Sequence, residues 1–168
     1  DEGDRLFVTD QQGVANTHNE INHVAQGHYY GVEAMHEEVR GAPQEPPAVQ
    51  VPHPWTRSVN GLMFIPEQIE GPLSPFAGQA LGAEYNSKFL IRASLQEVDG
   101  ELQGATYYFS RPTWDDEAST FLGPMTVALS PGGDLYVGSI HDSGWLGGQN
   151  TGEIVRLSPG GAPAPNGI

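Results

Sequence analysis

The chain has 168 residues, and Gly (22) and Pro (14) make up about a fifth of them, against an average near 12%. This composition disfavours a helical bundle, because a Gly or Pro inside a helix costs roughly 1–3 kcal/mol. The net charge of −14 argues against nucleic acid and anionic lipid as partners, since like charges repel. No cysteine is present, which excludes disulfides and thiolate chemistry, and no apolar run reaches the ~18 residues of a membrane span.

In chain order, three stretches repeat one pattern, in which an apolar strand, a polar glycine-containing loop and a second strand succeed one another. The stretches are Leu6–Val24, Gln79–Ser94 and Asp134–Pro159. Within each stretch, apolar and polar residues alternate with the period of two expected of half-buried strands. The alternation therefore predicts two strands in each repeat.

Two further short strands are predicted between these stretches, at Ser58–Pro66 and Gly123–Pro131; each has small residues, then apolar residues, then a proline. Pro165–Ile168 resembles the start of such a strand, and the first ten residues resemble the segment after its end. We therefore expect about three units of four short strands, which is typical of the blades of a β-propeller. Because closed propellers typically have four to eight blades, the sequence predicts an all-β, partial propeller, completed by a longer chain or by a partner.

The segments between the repeats are predicted to be loops within a single domain, 1–168. Gly41–Trp55 contains five prolines and is predicted to be a connecting loop, because proline cannot donate to a helix or a central strand. Glu70–Gly78 is predicted to be a turn-rich connection between blades. Only Gly31–Gly41 has helical spacing, for one or two turns.

The stretch Thr9–Gly31 resembles the soluble glucose/sorbosone dehydrogenase family. The matching residues are Gln12-Gly13, Glu20-Ile21-Asn22 and Tyr30-Gly31. Members of that family are six-bladed propellers that use pyrroloquinoline quinone (PQQ) and calcium, and the similarity covers the second half of a family-length protein. The resemblance implies a six-bladed type of fold, of which this chain holds about half, and a location in the periplasm or outside the cell.

The resemblance also implies a calcium site. Gly13 and Val14 would lie where main-chain carbonyls of the family coordinate the calcium next to the cofactor, and calcium takes six to eight such oxygen ligands. Glu20 would support this loop from a buried position, and Asn22 would fix the turn through hydrogen bonds from its side chain to the backbone.

The residues that would hold PQQ depart from the family pattern. PQQ carries three carboxylates, which the family binds with arginine and lysine. Asn86 stands where the family has a lysine, and Lys88 is displaced toward the next strand; these two are the candidate cofactor contacts. Gly123 and Met125 stand where the family has an arginine pair. The loss of these cations argues against PQQ and against an active dehydrogenase, and no catalytic residue is assigned.

Other clusters have simpler interpretations. Four histidines fall within 19 residues (His18, His23, His28 and His36), but strand and loop positions need not bring them together, and we interpret them as scattered. Asp115–Glu117 is interpreted as a solvated turn. Among the aromatic residues, Tyr107 and Phe109 are predicted to be core, whereas Trp114 and Trp145 are candidates for ligand or partner contacts.

Three functions remain open on the sequence. The leading hypothesis is a non-catalytic module outside the cytoplasm, derived from PQQ sugar dehydrogenases, that binds another subunit or a second copy and thereby completes the propeller. The alternative is a fragment of a calcium- and PQQ-dependent sugar or alcohol dehydrogenase that passes electrons to a cytochrome or quinone. The third is a carbohydrate-binding module that uses its exposed aromatic side chains.

Overall fold

The computed structural model describes residues 1–11, 17–31, 45–112, 119–140 and 152–158. In these ranges the chain forms ten strands in three antiparallel sheets and one short 3-10 helix, Gly71–Phe76. The fold is therefore all-β and resembles part of a propeller, as the sequence predicts. Within the described ranges, no helical segment has the length and apolar character that crossing a bilayer requires.

The first sheet has three strands in the order β1-β2-β3: β1 (Phe7–Asp10), β2 (His18–His23) and β3 (Val49–Pro52). β1 and β2 are the pair predicted from the first repeat. β3 corrects the prediction of a loop through Gly41–Trp55. Its valines, Val49 and Val51, are buried while Gln50 and Pro52 are exposed, and Pro52 is tolerated because it ends a strand at the sheet edge.

The second sheet has four strands that are consecutive in sequence and adjacent in space: β4 (Val59–Phe64), β5 (Ala80–Glu84), β6 (Phe89–Val98) and β7 (Glu101–Tyr108). It is a complete four-stranded unit of the predicted kind. The stretch Glu70–Gly78, predicted to connect two blades, instead connects β4 to β5 inside this sheet. It contains the 3-10 helix, which has a proline in its first turn, where the missing N–H is not needed.

The third sheet has three strands in the order β8-β9-β10: β8 (Pro124–Leu129), β9 (Leu135–Ser139) and β10 (Glu153–Leu157). β9 and β10 come from the third repeat, and β8 is the short strand predicted before it. β8, β9 and β10 pair in the same order as β4, β5 and β6 of the second sheet, so the strand unit predicted from the sequence recurs in the structure.

The second sheet is packed between the other two. One core cluster joins one of its faces to the first sheet, through Val59, Phe89 and Ile91 against Ile21 and Val51. A second cluster joins its other face to the third sheet, and includes Leu81, Ala83, Leu90, Val127, Leu135 and Val137. All five residues of β5 are buried; because successive strand residues point to opposite faces, this requires cover on both sides.

Candidate functional site

The predicted site residues that the structure describes lie at one end of the three sheets. β1, β5 and β9 end there, and β2, β6 and β10 begin there; we call it the upper end. Glu20, Asn86 and Lys88 lie at this end. The other four candidates (Gly13, Val14, Trp114 and Trp145) are outside the described residues, in stretches that come after β1, β7 and β9.

The buried carboxylate of Glu84 organises the upper end of the second sheet. Its Oε1 accepts hydrogen bonds from the backbone N–H of Arg57 (3.0 Å) and of Ser58 (3.1 Å), and its Oε2 accepts one from the backbone N–H of Ser87. Glu84 is fully buried. Backbone amides thus take the role that a cation would otherwise have in compensating a buried charge, and they fix the β5–β6 turn to the segment before β4.

The same segment is also tied to the first sheet. Asn19, buried in β2, donates from Nδ2 to the carbonyl of Thr56 (3.2 Å), and its Oδ1 lies 3.2 Å from His53 Nε2. Gln11 donates to Asn60 Oδ1 (2.7 Å) across the two sheets. These bonds make the upper end a polar network that spans the boundary between the first and second sheets.

Asn86 and Lys88, the predicted cofactor contacts, lie in the β5–β6 turn. Asn86 is exposed and Lys88 is half-buried. Lys88 has a φ of 57°, in the left-handed region that a residue with a side chain seldom occupies. The bond from the Ser87 amide to Glu84 helps to hold the turn in this shape, so the backbone here is set by the buried carboxylate.

Glu20 lies in β2, where it contacts the side chains of His18 and Asn22. Its Oε1 is 3.4 Å from His18 Nε2, and its Oε2 accepts a hydrogen bond from Asn22 Nδ2 (3.2 Å). The prediction that Asn22 fixes a turn is wrong: Asn22 is inside the strand, paired with Val8, and its buried Oδ1 has no hydrogen-bond partner among the described residues. Calcium binding by Gly13, Val14 and Glu20 stays a prediction, because the first two residues are outside the described ranges.

The charges at the upper end do not fit a tricarboxylate such as PQQ. Its described basic residues are Arg57, Lys88 and Arg111, of which the two arginines are exposed. Its described carboxylates are Asp10, Glu20, Glu84 and Glu153. Because four carboxylates stand against three basic residues, the described part of this end offers no net attraction for an anion of high charge.

The described histidines have separate partners. His18 contacts Glu20 at the upper end, the ring of His23 lies against Phe7 with centroids 5.3 Å apart, and His28 Nδ1 is 2.5 Å from a carboxylate oxygen of Glu45. In the part of the chain that the structure describes, no group of three acidic or histidine side chains could hold a metal ion. His36 is outside that part.

The prediction that Tyr107 and Phe109 are core residues is confirmed for Phe109 and wrong for Tyr107. Phe109 packs on the second core cluster, with its ring 5.4 Å from that of Phe76. Tyr107, predicted to be core, is 44% exposed and is covered on one side by the Arg92 guanidinium, 4.4 Å from its centroid. The reason is that β7 is the last strand of its sheet, so its side chains lack a neighbour on one side.

The sequence reasoning missed the network around Glu84 and Trp55. Trp55 stacks on Tyr108 with centroids 4.9 Å apart, and its carbonyl accepts from Ser87 Oγ (3.3 Å). One available signal was Glu84, the acidic residue that ends the otherwise apolar strand β5, because a buried glutamate requires hydrogen-bond donors. Two of the three donors, Arg57 and Ser58, lie 27 and 26 residues away in sequence, and no local pattern marks them.

A comparison with known structures identifies a similar fold. The chain superimposes on a crystal structure from Thermus thermophilus with a TM-score of 0.61 and 20% identity over 92% of this chain. That protein carries a provisional description as an oxidoreductase (glucose dehydrogenase). The two share a fold. This chain spans 40% of the other chain's length, and no protein-family profile or curated protein sequence matches it.

Proposed function

We propose that the chain is a protein-binding or assembly module of propeller type, which docks further propeller-type sheets on the two open faces of its array. One observation carries the proposal: among the described residues, the second sheet lies between two apolar core clusters, whereas the first and third sheets each contribute to one. A sheet stack of this kind continues until its apolar faces are covered.

The open face of the first sheet carries apolar side chains. Phe7 packs inward, with its ring 4.8 Å from that of Phe64, so its neighbours Leu6 and Val8 point to the opposite face. Leu6 is 61% exposed and Val8 is 46% exposed. These two side chains are available to a docking partner.

The open face of the third sheet has the same character. Val155 belongs to the second core cluster, so Ile154 points away from it and is 75% exposed. Ile154 pairs with Gly138, which offers no side chain to cover it. A partner sheet placed here would bury a large apolar side chain that the chain alone leaves in water.

The length comparison supports a partner of the same kind. The related fold extends over a chain of which this one spans 40%, and sheets from another subunit or from a second copy of this chain would continue the stack. From the resemblance seen in the sequence, we place the module in the periplasm or outside the cell.

The oligomeric state tests the second-copy form of this proposal. We expect the purified chain to have at least twice its monomer mass of 18.0 kDa in light scattering, and Val8→Asp or Ile154→Asp to shift it to monomer, because a carboxylate on an apolar contact is costly to bury. Gln68→Asp, at an exposed position between β4 and β5, is the matched control. A wild-type monomer would contradict self-association and leave another subunit as the occupant.

A second candidate, part of a sugar dehydrogenase, is favoured by the description of the structural neighbour. We expect no reduction of a redox dye when the purified chain receives glucose, PQQ and calcium, because the upper end lacks net positive charge. Turnover above that of PQQ and calcium alone would instead support this candidate, with Asn86, Lys88 and Glu20 the first positions to substitute. The carbohydrate-binding hypothesis rests on Trp114 and Trp145, outside the described residues.

A further inference from the structure

A groove runs along the outer edges of the first and second sheets. One wall comes from Pro46, Pro47 and Trp55 with part of β3, and the other from six consecutive residues of β7, Glu101–Thr106. Its volume is about 590 Å³. Because consecutive strand residues alternate between faces, a wall made of six in a row is the backbone edge of β7 rather than one of its faces.

This edge has the properties of a strand that can accept another. β7 is eight residues long and is the last strand of its sheet, and Gln103, Gly104 and Ala105 are exposed. Proteins usually protect such an edge with lysine, proline or a bulge. β7 contains no lysine and no proline, and its pairing with β6 is continuous from Glu101 to Tyr108.

Small residues keep the edge accessible. A Cβ on Gly104 would lie 2.5 Å from the Ser94 carbonyl oxygen and 2.9 Å from Val49 Cγ2. The strand therefore needs glycine here to approach β3. Ala105, the next residue, adds only a methyl group.

The charge around the groove indicates which kind of segment it binds. Glu97, Asp99 and Glu101 lie at the β6–β7 turn, at one end of the groove, and none of the residues that line the groove is basic. A second copy of a chain with a net charge of −14 would be repelled here, whereas a cationic segment would be attracted.

We propose that the edge of β7 binds an extended, basic peptide segment of another protein as an additional strand of the second sheet. The peptide backbone pairs with the free edge, and alternate side chains enter the groove against Trp55 and the two prolines, as in other cases of strand addition. This surface differs from the open sheet faces of the proposed assembly, so either proposal can fail without the other.

The probe is an acetylated, amidated peptide with the sequence Lys-Val-Lys-Val-Thr-Val-Lys-Val. We expect saturable binding by calorimetry and slower hydrogen–deuterium exchange confined to residues 101–108. A peptide with glutamate in place of each lysine should bind at least about tenfold more weakly, and so should one with proline at alternate positions, which lacks the N–H groups for pairing. Equal binding of the proline peptide, or no protection of β7, would overturn the proposal.

Substitution on the protein gives an independent test. Gln103→Lys places a positive charge on the exposed edge, and we expect at least about a tenfold loss of affinity for the basic peptide, with an unchanged circular dichroism spectrum. Gln68→Lys makes the same charge change at an exposed position that does not line the groove and is the matched control. Equal losses in the two variants would mean that only net charge matters, and would overturn strand addition.

Discussion

Backbone amides hold the buried carboxylate of Glu84, and this single residue connects three parts of the chain. It ends β5, fixes the β5–β6 turn through the Ser87 amide, and receives the amides of Arg57 and Ser58 from the segment that leads into β4. A carboxylate has two acceptor oxygens and no donor, so it suits a site where every neighbouring group is an N–H.

At this residue we expect Glu84→Gln to lower the free energy of unfolding by about 1.5–3 kcal/mol, the range for a hydrogen bond to a charged group. The amide of glutamine would place an N–H against a backbone N–H, so at least one bond is lost. Urea denaturation measures the difference. Glu70→Gln, at an exposed position, should change the stability by less than about 0.5 kcal/mol; equal effects would show that the buried contacts of Glu84 contribute little.

Among the elements, β4 and β8 are strands whose backbones meet closely across two sheets. A Cβ on Gly61 would lie 2.5 Å from the Met125 carbonyl oxygen and 2.6 Å from Thr126 Cα. Both strands also have a break in register near this contact, between Asn60 and Leu62 in β4 and between Pro124 and Thr126 in β8. The two irregular places face each other, which lets the sheets pack closely.

For these elements we predict that Gly61→Ala lowers the stability by about 1–3 kcal/mol, the usual cost of overpacking, because the added methyl group meets backbone atoms that cannot turn away. Gly132→Ala is the control, since its Cβ would meet nothing closer than 3.8 Å. Thermal denaturation of both variants measures the effect. A Gly61→Ala protein as stable as the control would contradict the close packing of β4 on β8.

Much of the element order could be predicted from the sequence, and its failures have physical causes. Alternation of apolar and polar residues marked β1, β2, β5, β6, β9 and β10, and the pattern of small residues, apolar residues and a proline marked β4 and β8; β7 was not predicted. It missed β3, because the prolines around Val49–Val51 outweighed two buried valines. It misjudged Tyr107, because alternation does not reveal which strand lies at a sheet edge. Of the candidate site, the sequence predicted only the turns. It did not predict the hydrogen bonds that the Arg57 and Ser58 amides donate to Glu84, because these residues are far apart in sequence.

At the scale of the whole molecule, the described turns opposite the upper end are acidic. The turns opposite the upper end carry Glu67, Glu70, Glu97, Asp99 and Asp134, and Arg156 on that side is already committed to Asp134 at 2.6 Å. With a net charge of −14, repulsion among such groups opposes the compact state.

At the scale of the molecule we therefore expect the melting temperature to rise by a few degrees when sodium chloride is raised from about 10 to about 300 mM, because salt screens exposed charges. The double variant Glu97→Gln/Asp99→Asn should respond less, since it removes two of these charges. A melting temperature that stays constant or falls with salt would contradict net repulsion as a destabilising factor.

The double cover of the second sheet has a consequence for synthesis of the chain. Leu81, Ala83 and Leu90 belong to a core cluster that also contains Phe121, Val127, Leu135 and Val137. A polypeptide that stops before Phe121 therefore exposes part of this apolar face of the second sheet to water. Such surfaces drive aggregation. Until the strands after Phe121 have been synthesised, we therefore expect the nascent chain to be prone to aggregation.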